Sequence, residues 1–270
     1  MKKPPSAPAR TGSFKSLRIL ILLLILLAVA LKTWQDQYRS RRWSEPLYVS
    51  IYPIAADDSE VTRAYINRIE ADQYKPIDAF FAREAERYHL RIDEPFRTRL
   101  RDELHELPPQ RSPAAGVLTT IVWSLKMRYW AWRVSGHAHE PEDIRVFVLY
   151  HDPKLTPTVP HSLGLSKGLI GVVFAFAVPD MSSENAVVIA HELLHTLGAT
   201  DKYDPATNAP RFPDGYGDPA QSPLYPQQTA ELMAGRTALA PDRWEQPSSL
   251  NQVVIGRDTA LEILWPQHAK

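Results

Sequence analysis

The chain of 270 residues contains no cysteine. That removes disulfides, cysteine-ligated zinc and thiol nucleophiles from consideration, and with them any pro-segment that inhibits through a thiol. A metal, if there is one, must be held by His, Asp and Glu. Net charge is lacking too, with 31 Lys/Arg against 31 Asp/Glu, but the balance is uneven along the chain. Residues 1–42 hold nine of the basic side chains and one acid, Asp36, so residues 43–270 carry 22 basic and 30 acidic groups, a net of −8. A folded part of that sign argues against nucleic acid as a partner. There is no D-x-D-x-D-G run, so the acid excess reads as a solvated surface rather than a calcium site. Repeats are absent, no low-complexity tract follows the proline-containing tail, and no linker is evident after residue 46.

What is present begins with a basic tail, residues 1–16, followed by an unbroken apolar run of thirteen residues from Ile19 to Leu31. Thirteen residues suit the apolar core of a secretion signal, and Ala28-Val29-Ala30 has the form of a cleavage site. That triplet lies inside the run rather than after it, and 17–34 makes a segment whose Arg18 and Lys32 can snorkel to the two interfaces. The favoured expectation is an uncleaved membrane anchor at 17–34, with a linker at 35–46 and the domain on the extracytoplasmic side; a cleaved signal is the alternative.

The remainder, 47–270, reads as one α+β domain with a mixed twisted sheet. Strands are expected at 47–54, 143–153 and 167–177, where β-branched and aromatic residues cluster. Helices are expected at 59–70, 77–89, 114–134 and 257–265, the third with Trp123 and Trp130 seven apart on one packed face. Pro205, Pro210, Pro213, Pro219, Pro223 and Pro226 keep the stretch after residue 200 irregular.

The most informative stretch is "AHELLHTLGATDKYD", residues 190–204. Ser182 or Ser183 can cap a helix that runs through it, and Gly198 can stop that helix in a left-handed conformation. His191 and His195, four apart, then project from one face and can share one ion, while Glu192 stands beside the first of them. The pattern is H-E-x-x-H, the zinc helix of metallopeptidases, with Glu as general base. Catalytic zinc needs a third protein ligand. Asp201 is the expected one, reached if the chain turns back at Gly198; Asp204, Glu231, His151 and His161 are alternative donors. His89, His105, His137, His139 and His268 have no usable spacing.

The longer pattern, H-E-x-x-H-x-x-G-x-x-D over His191, Glu192, His195, Gly198 and Asp201, resembles the metzincin clan in the variant where aspartate replaces the third histidine, as in snapalysin-type peptidases. The resemblance covers roughly residues 143–265. It implies a zincin-like fold with an active-site helix, a Met-turn in an irregular C-terminal subdomain carried here by Met233, and a rim strand beside the cleft, assigned to 167–177. Several families of the clan have a tyrosine shortly after the turn methionine; here Ala234-Gly235-Arg236 follows, so Tyr203, Tyr216 and Tyr225 are the candidates to stabilise a transition state. The implied activity is hydrolysis of peptide bonds in a peptide or protein substrate, with Zn2+ as cofactor and Glu192 as base. The competing expectation is a membrane-tethered zincin-fold protein that binds or assembles without turnover.

Overall fold

The computed structural model describes residues 42–110, 116–136, 140–160, 162–166 and 168–265, with scattered positions between 17 and 40. Half of the expected anchor at 17–34 falls outside them, and among the described residues no helix is long and apolar enough to cross a membrane. His137, His139, His161 and His268 are also outside.

In chain order the elements are β1 (Leu47–Ala55), α1 (Glu60–Ile66), α2 (Lys75–Arg87), β2 (Phe96–Leu100), α3 (Val117–Val134), β3 (Ile144–His151), β4 (Leu163–Leu165), β5 (Ile170–Phe176) and α4 (Ser182–Leu197). After a long irregular stretch come β6 (Ala230–Glu231), β7 (Thr237–Ala240), β8 (Arg243–Glu245), β9 (Val253–Val254) and α5 (Arg257–Glu262). The main sheet has the order β2-β1-β3-β5-β4, parallel throughout except for β4, which runs antiparallel to β5.

Alternation along the strands builds a layer on each side of that sheet. From β3, Ile144, Val146, Val148 and Tyr150 join one buried cluster with residues of α2 and α4, while Phe147 and Leu149 join a second with Trp123, Met127 and Trp130 of α3. Both faces are therefore covered, which is why these strands read as nearly continuous apolar runs. Trp123 and Trp130 share the packed face of α3 as the spacing indicates. The other side of that helix leaves Ile121, Val122, Leu125, Tyr129 and Trp132 exposed.

Three expectations need correction. The 35–46 linker ends early, because Trp43 is buried, its indole donating to Ile263 O at 2.8 Å and its ring edge-on to Phe96 and Trp265. Neither Ser182 nor Ser183 caps α4: a 3-10 turn at Pro179–Met181 leads in, Met181 occupies the cap position, and no side chain bonds the first turn. The rim strand is not the 167–177 segment. β5 lies between β3 and β4, and the edge belongs to β4, three residues too short to carry a periodic signal.

Candidate metal centre

α4 runs under the edge of the sheet, and β4 lies directly on it. A Cβ at Gly164 would come within 2.8 Å of Glu192 O and collide with His195 Cβ, so the absence of a side chain lets the edge strand sit against the two site residues. Gly164→Ala is expected to force strand and helix apart, costing about 1–3 kcal/mol and several degrees of Tm. Thermal melts and the metal content of the purified variant check both consequences.

The helix ends as its sequence indicates. Gly198 takes φ 102°, its N–H donates to His195 O at 3.1 Å and the Ala199 N–H to Leu194 O at 3.1 Å, the paired bonds of a Schellman stop. This reversal has two effects on the site. It carries Ala199 O to 2.8 Å from His195 Nδ1, and it brings Asp201 back over the helix. The loop is then clamped from outside. Lys202 N–H donates to Met233 O at 2.9 Å, and the buried Lys202 ammonium pairs with Glu262 of α5 at 2.7 Å. Glu262 also accepts from Thr200 N–H and hydroxyl at 2.8 and 2.7 Å.

The turn bearing Met233 supplies the other support. His191 Nδ1 lies 2.9 Å from Leu232 O, and Met233 itself is fully buried in the main core. The buried Glu231 carboxylate holds the turn, accepting from Ala234 N–H at 2.9 Å, Gly256 N–H at 3.0 Å and the Thr259 hydroxyl at 2.7 Å. Burial pushes its pKa up, against these three hydrogen bonds.

A carbonyl oxygen only accepts, so both Nδ1 atoms carry hydrogen, and in the neutral rings both Nε2 atoms present lone pairs. Those two nitrogens are 3.0 Å apart, and Asp201 Oδ1 lies 3.2 Å from His191 Nε2 and 3.0 Å from His195 Nε2. Three such atoms this close repel one another unless a proton or a metal cation stands among them. Tetrahedral donors at zinc–nitrogen and zinc–oxygen distances are separated by about 3.3 Å, close to the triangle found here. Ligand atoms of His191, Glu192 and His195 all lie within 4.8 Å of one another, so this group could hold a metal ion. That group contains Glu192, which is 5% exposed, and does not include Asp201.

The electrostatics follow the geometry. Burial alone would lower the His191 pKa, but the Asp201 and Glu192 carboxylates and the Leu232 carbonyl raise it overall. Burial would raise Asp201, yet the two facing imidazoles hold it well below the usual carboxylate range. Burial, with Asp201 and Glu192 nearby, pushes the Tyr203 phenol up.

These groups open into a cavity of about 580 Å3. Its lining includes the apolar Phe174, Phe176, Val187 and Val188 and the polar Tyr203, Asn208, Arg236 and Gln246. Of the three tyrosines considered from sequence, Tyr203 lines the cavity, whereas Tyr216 and Tyr225 share a hydrogen bond at 2.7 Å and are not among its lining residues. Three of the four alternative donors are engaged or placed elsewhere, and His161 lies outside the described residues. Asp204 accepts from Ala206 and Thr207 N–H in an exposed turn, Glu231 braces the Met233 turn, and His151 stacks near Phe174 with its pKa lowered by burial. Arg236, Asn208 and Gln246 escape sequence reasoning because they fall outside the helix motif. Arg236 alone had a signal, its place three residues after Met233.

No family model matches the chain, and no curated protein matches it in sequence.

Proposed function

We propose that the chain is a membrane-anchored, zinc-dependent metallopeptidase, with His191, His195 and Asp201 as metal ligands and Glu192 as general base. The observation that carries this reading is the convergence of two Nε2 atoms and one carboxylate oxygen within 3.2 Å, each imidazole held at Nδ1 by a backbone carbonyl. Outer hydrogen bonds of that kind fix ring orientation in metal sites. Met233 in its braced turn adds support as the Met-turn residue, and the resemblance to metzincins with an aspartate third ligand agrees with it.

A zinc ion in this site would supply Lewis-acid assistance, making water more acidic and polarising a bound carbonyl. The chain's own residues do the rest. Glu192, one residue from a ligand and largely shielded from solvent, takes the proton of the attacking water and returns it to the leaving amine. His191 and His195 hold their donor atoms still through Leu232 O and Ala199 O. Tyr203, the tyrosine that lines the cavity, is the candidate donor to the developing oxyanion. The cavity admits a segment of extended peptide with an apolar side chain toward Phe174 and Phe176. The basic, apolar N-terminal segment anchors this domain on the extracytoplasmic side.

The test is metal content and turnover of the full chain, purified in detergent without chelator or affinity-metal contact. Stoichiometric zinc and cleavage of a mixed peptide library are expected; both disappear after chelation and return with added zinc. Zinc without cleavage of any peptide would favour the silent zincin-fold alternative. Failure to bind zinc would sink both.

A further inference from the structure

Arg236 follows directly on the turn that carries Met233, bridged across it to Glu231. Gly235, at φ 63°, aims the chain back toward the cavity, and Arg236 lines that cavity together with His191, Glu192 and Tyr203. Its guanidinium is half-buried. Its one side-chain hydrogen bond among the described residues goes from Nη1 to Gly235 O, at 2.9 Å. Burial disfavours its charge, the Tyr203 phenol is a neighbour, and among the described residues no carboxylate forms an ion pair with it.

Elsewhere in the chain Arg87 pairs with Glu84, Arg145 with Glu142, and Arg99 and Arg101 with Glu140, so several part-buried arginines are matched to an acid and Arg236 is not among them. Acids are in excess over residues 43–270, so scarcity does not explain why Arg236 has none. Asp201, a carboxylate in the cavity wall, is turned to the two imidazoles. A planar guanidinium that lines a cleft and gives a hydrogen bond only to its own neighbouring carbonyl is suited to gripping a carboxylate with two parallel hydrogen bonds.

We propose that Arg236 is the anchor of a substrate-carboxylate subsite, so that the cleft selects peptides presenting an anionic carboxylate a short distance from the scissile bond. The inference rests on the peptidase reading. Asn208 and Gln246, which also line the cavity, add neutral amide groups that do not repel an anion. The carboxylate can come from an Asp or Glu side chain or from a free C-terminus, and these sources differ in the products formed.

The experiment compares kcat/KM for matched peptides carrying Glu or Gln at each position around the scissile bond, each with a free or an amidated C-terminus. The zinc-loaded full chain is expected to prefer the carboxylate member of a pair by about tenfold or more. Preference at one Glu position identifies a side-chain subsite; preference for the free C-terminus, with short terminal products, identifies a terminal one. In Arg236→Gln the ratio within the pair should fall to about one, and Arg236→Lys, which keeps the charge without the fork, should retain part of it. Thermal melts of both variants run alongside. If Arg236→Gln slows both members of every pair equally, or the wild type shows no preference, Arg236 braces the turn and the proposal is overturned. Failure of the peptidase reading is distinct, because no peptide in either set would then be cleaved.

Discussion

Glu192→Gln is expected to retain its full zinc content and to lose peptide turnover by a factor of about 10² to 10⁴, the range for removing a general acid–base group. The substitution keeps the shape of the side chain and takes away only its capacity to accept a proton. Because Glu192 is almost completely buried, a change of shape would disturb the packing of α4, which makes Gln a better probe than Ala. Elemental analysis and single-turnover kinetics check the two halves of the expectation separately. The zinc half also decides a structural question. Glu192 lies in the same cluster as the two histidines, so if its carboxylate were a ligand, the variant would lose metal together with activity. Retention of zinc assigns it to the proton.

Asp201→Ala tests the other carboxylate. With Asp201 Oδ1 at 3.0 and 3.2 Å from the two Nε2 atoms, its loss leaves two protein donors, too few to hold catalytic zinc. Metal affinity should fall by more than about 100-fold, beyond the effect typical of outer-shell partners, and turnover should disappear at micromolar zinc. Competition with a chelating dye gives the affinity. Undiminished affinity would remove Asp201 from the ligand set and bring back Glu192 or a residue outside the described part of the chain, such as His161. The fold itself should survive, since Asp201 is partly exposed and its loop is held independently by Lys202, Thr200 and Glu262.

The helix and its histidines were legible because local rules set them. The i, i+4 spacing faces two imidazoles together on any helix, and Gly198 supplies the one backbone conformation that other residues resist. The three longest apolar strands were legible for a similar reason, since burial on both faces writes itself into composition. β2 and β4 were not. Phe96–Leu100 alternates with two arginines and depends on pairing with β1, and Leu163–Leu165 becomes a strand only because β5 offers an edge. The Ser182 and Ser183 cap failed because the preceding 3-10 turn already delivers the chain in helical geometry. The supports of the site were invisible in principle. Leu232 O and Ala199 O act through the backbone, and no residue type announces a carbonyl.

Those two carbonyls also tie the centre to the history of the molecule. His195 is held by a residue four positions away, but His191 is held by one 41 positions away, beyond the whole proline-rich stretch. Helix formation alone therefore does not fix the orientation of His191; the distant turn does that. A cation bound to the proposed donors would itself span only residues 191–201, but through the His191 hydrogen bond to Leu232 O it would be coupled to a loop of some forty residues that is closed in the native ensemble and open in the unfolded one. Its binding free energy is then added to the resistance of this half of the chain to heat and to proteolysis. On the proposed reading, metal supply would set how long the protein lasts as well as how fast it works.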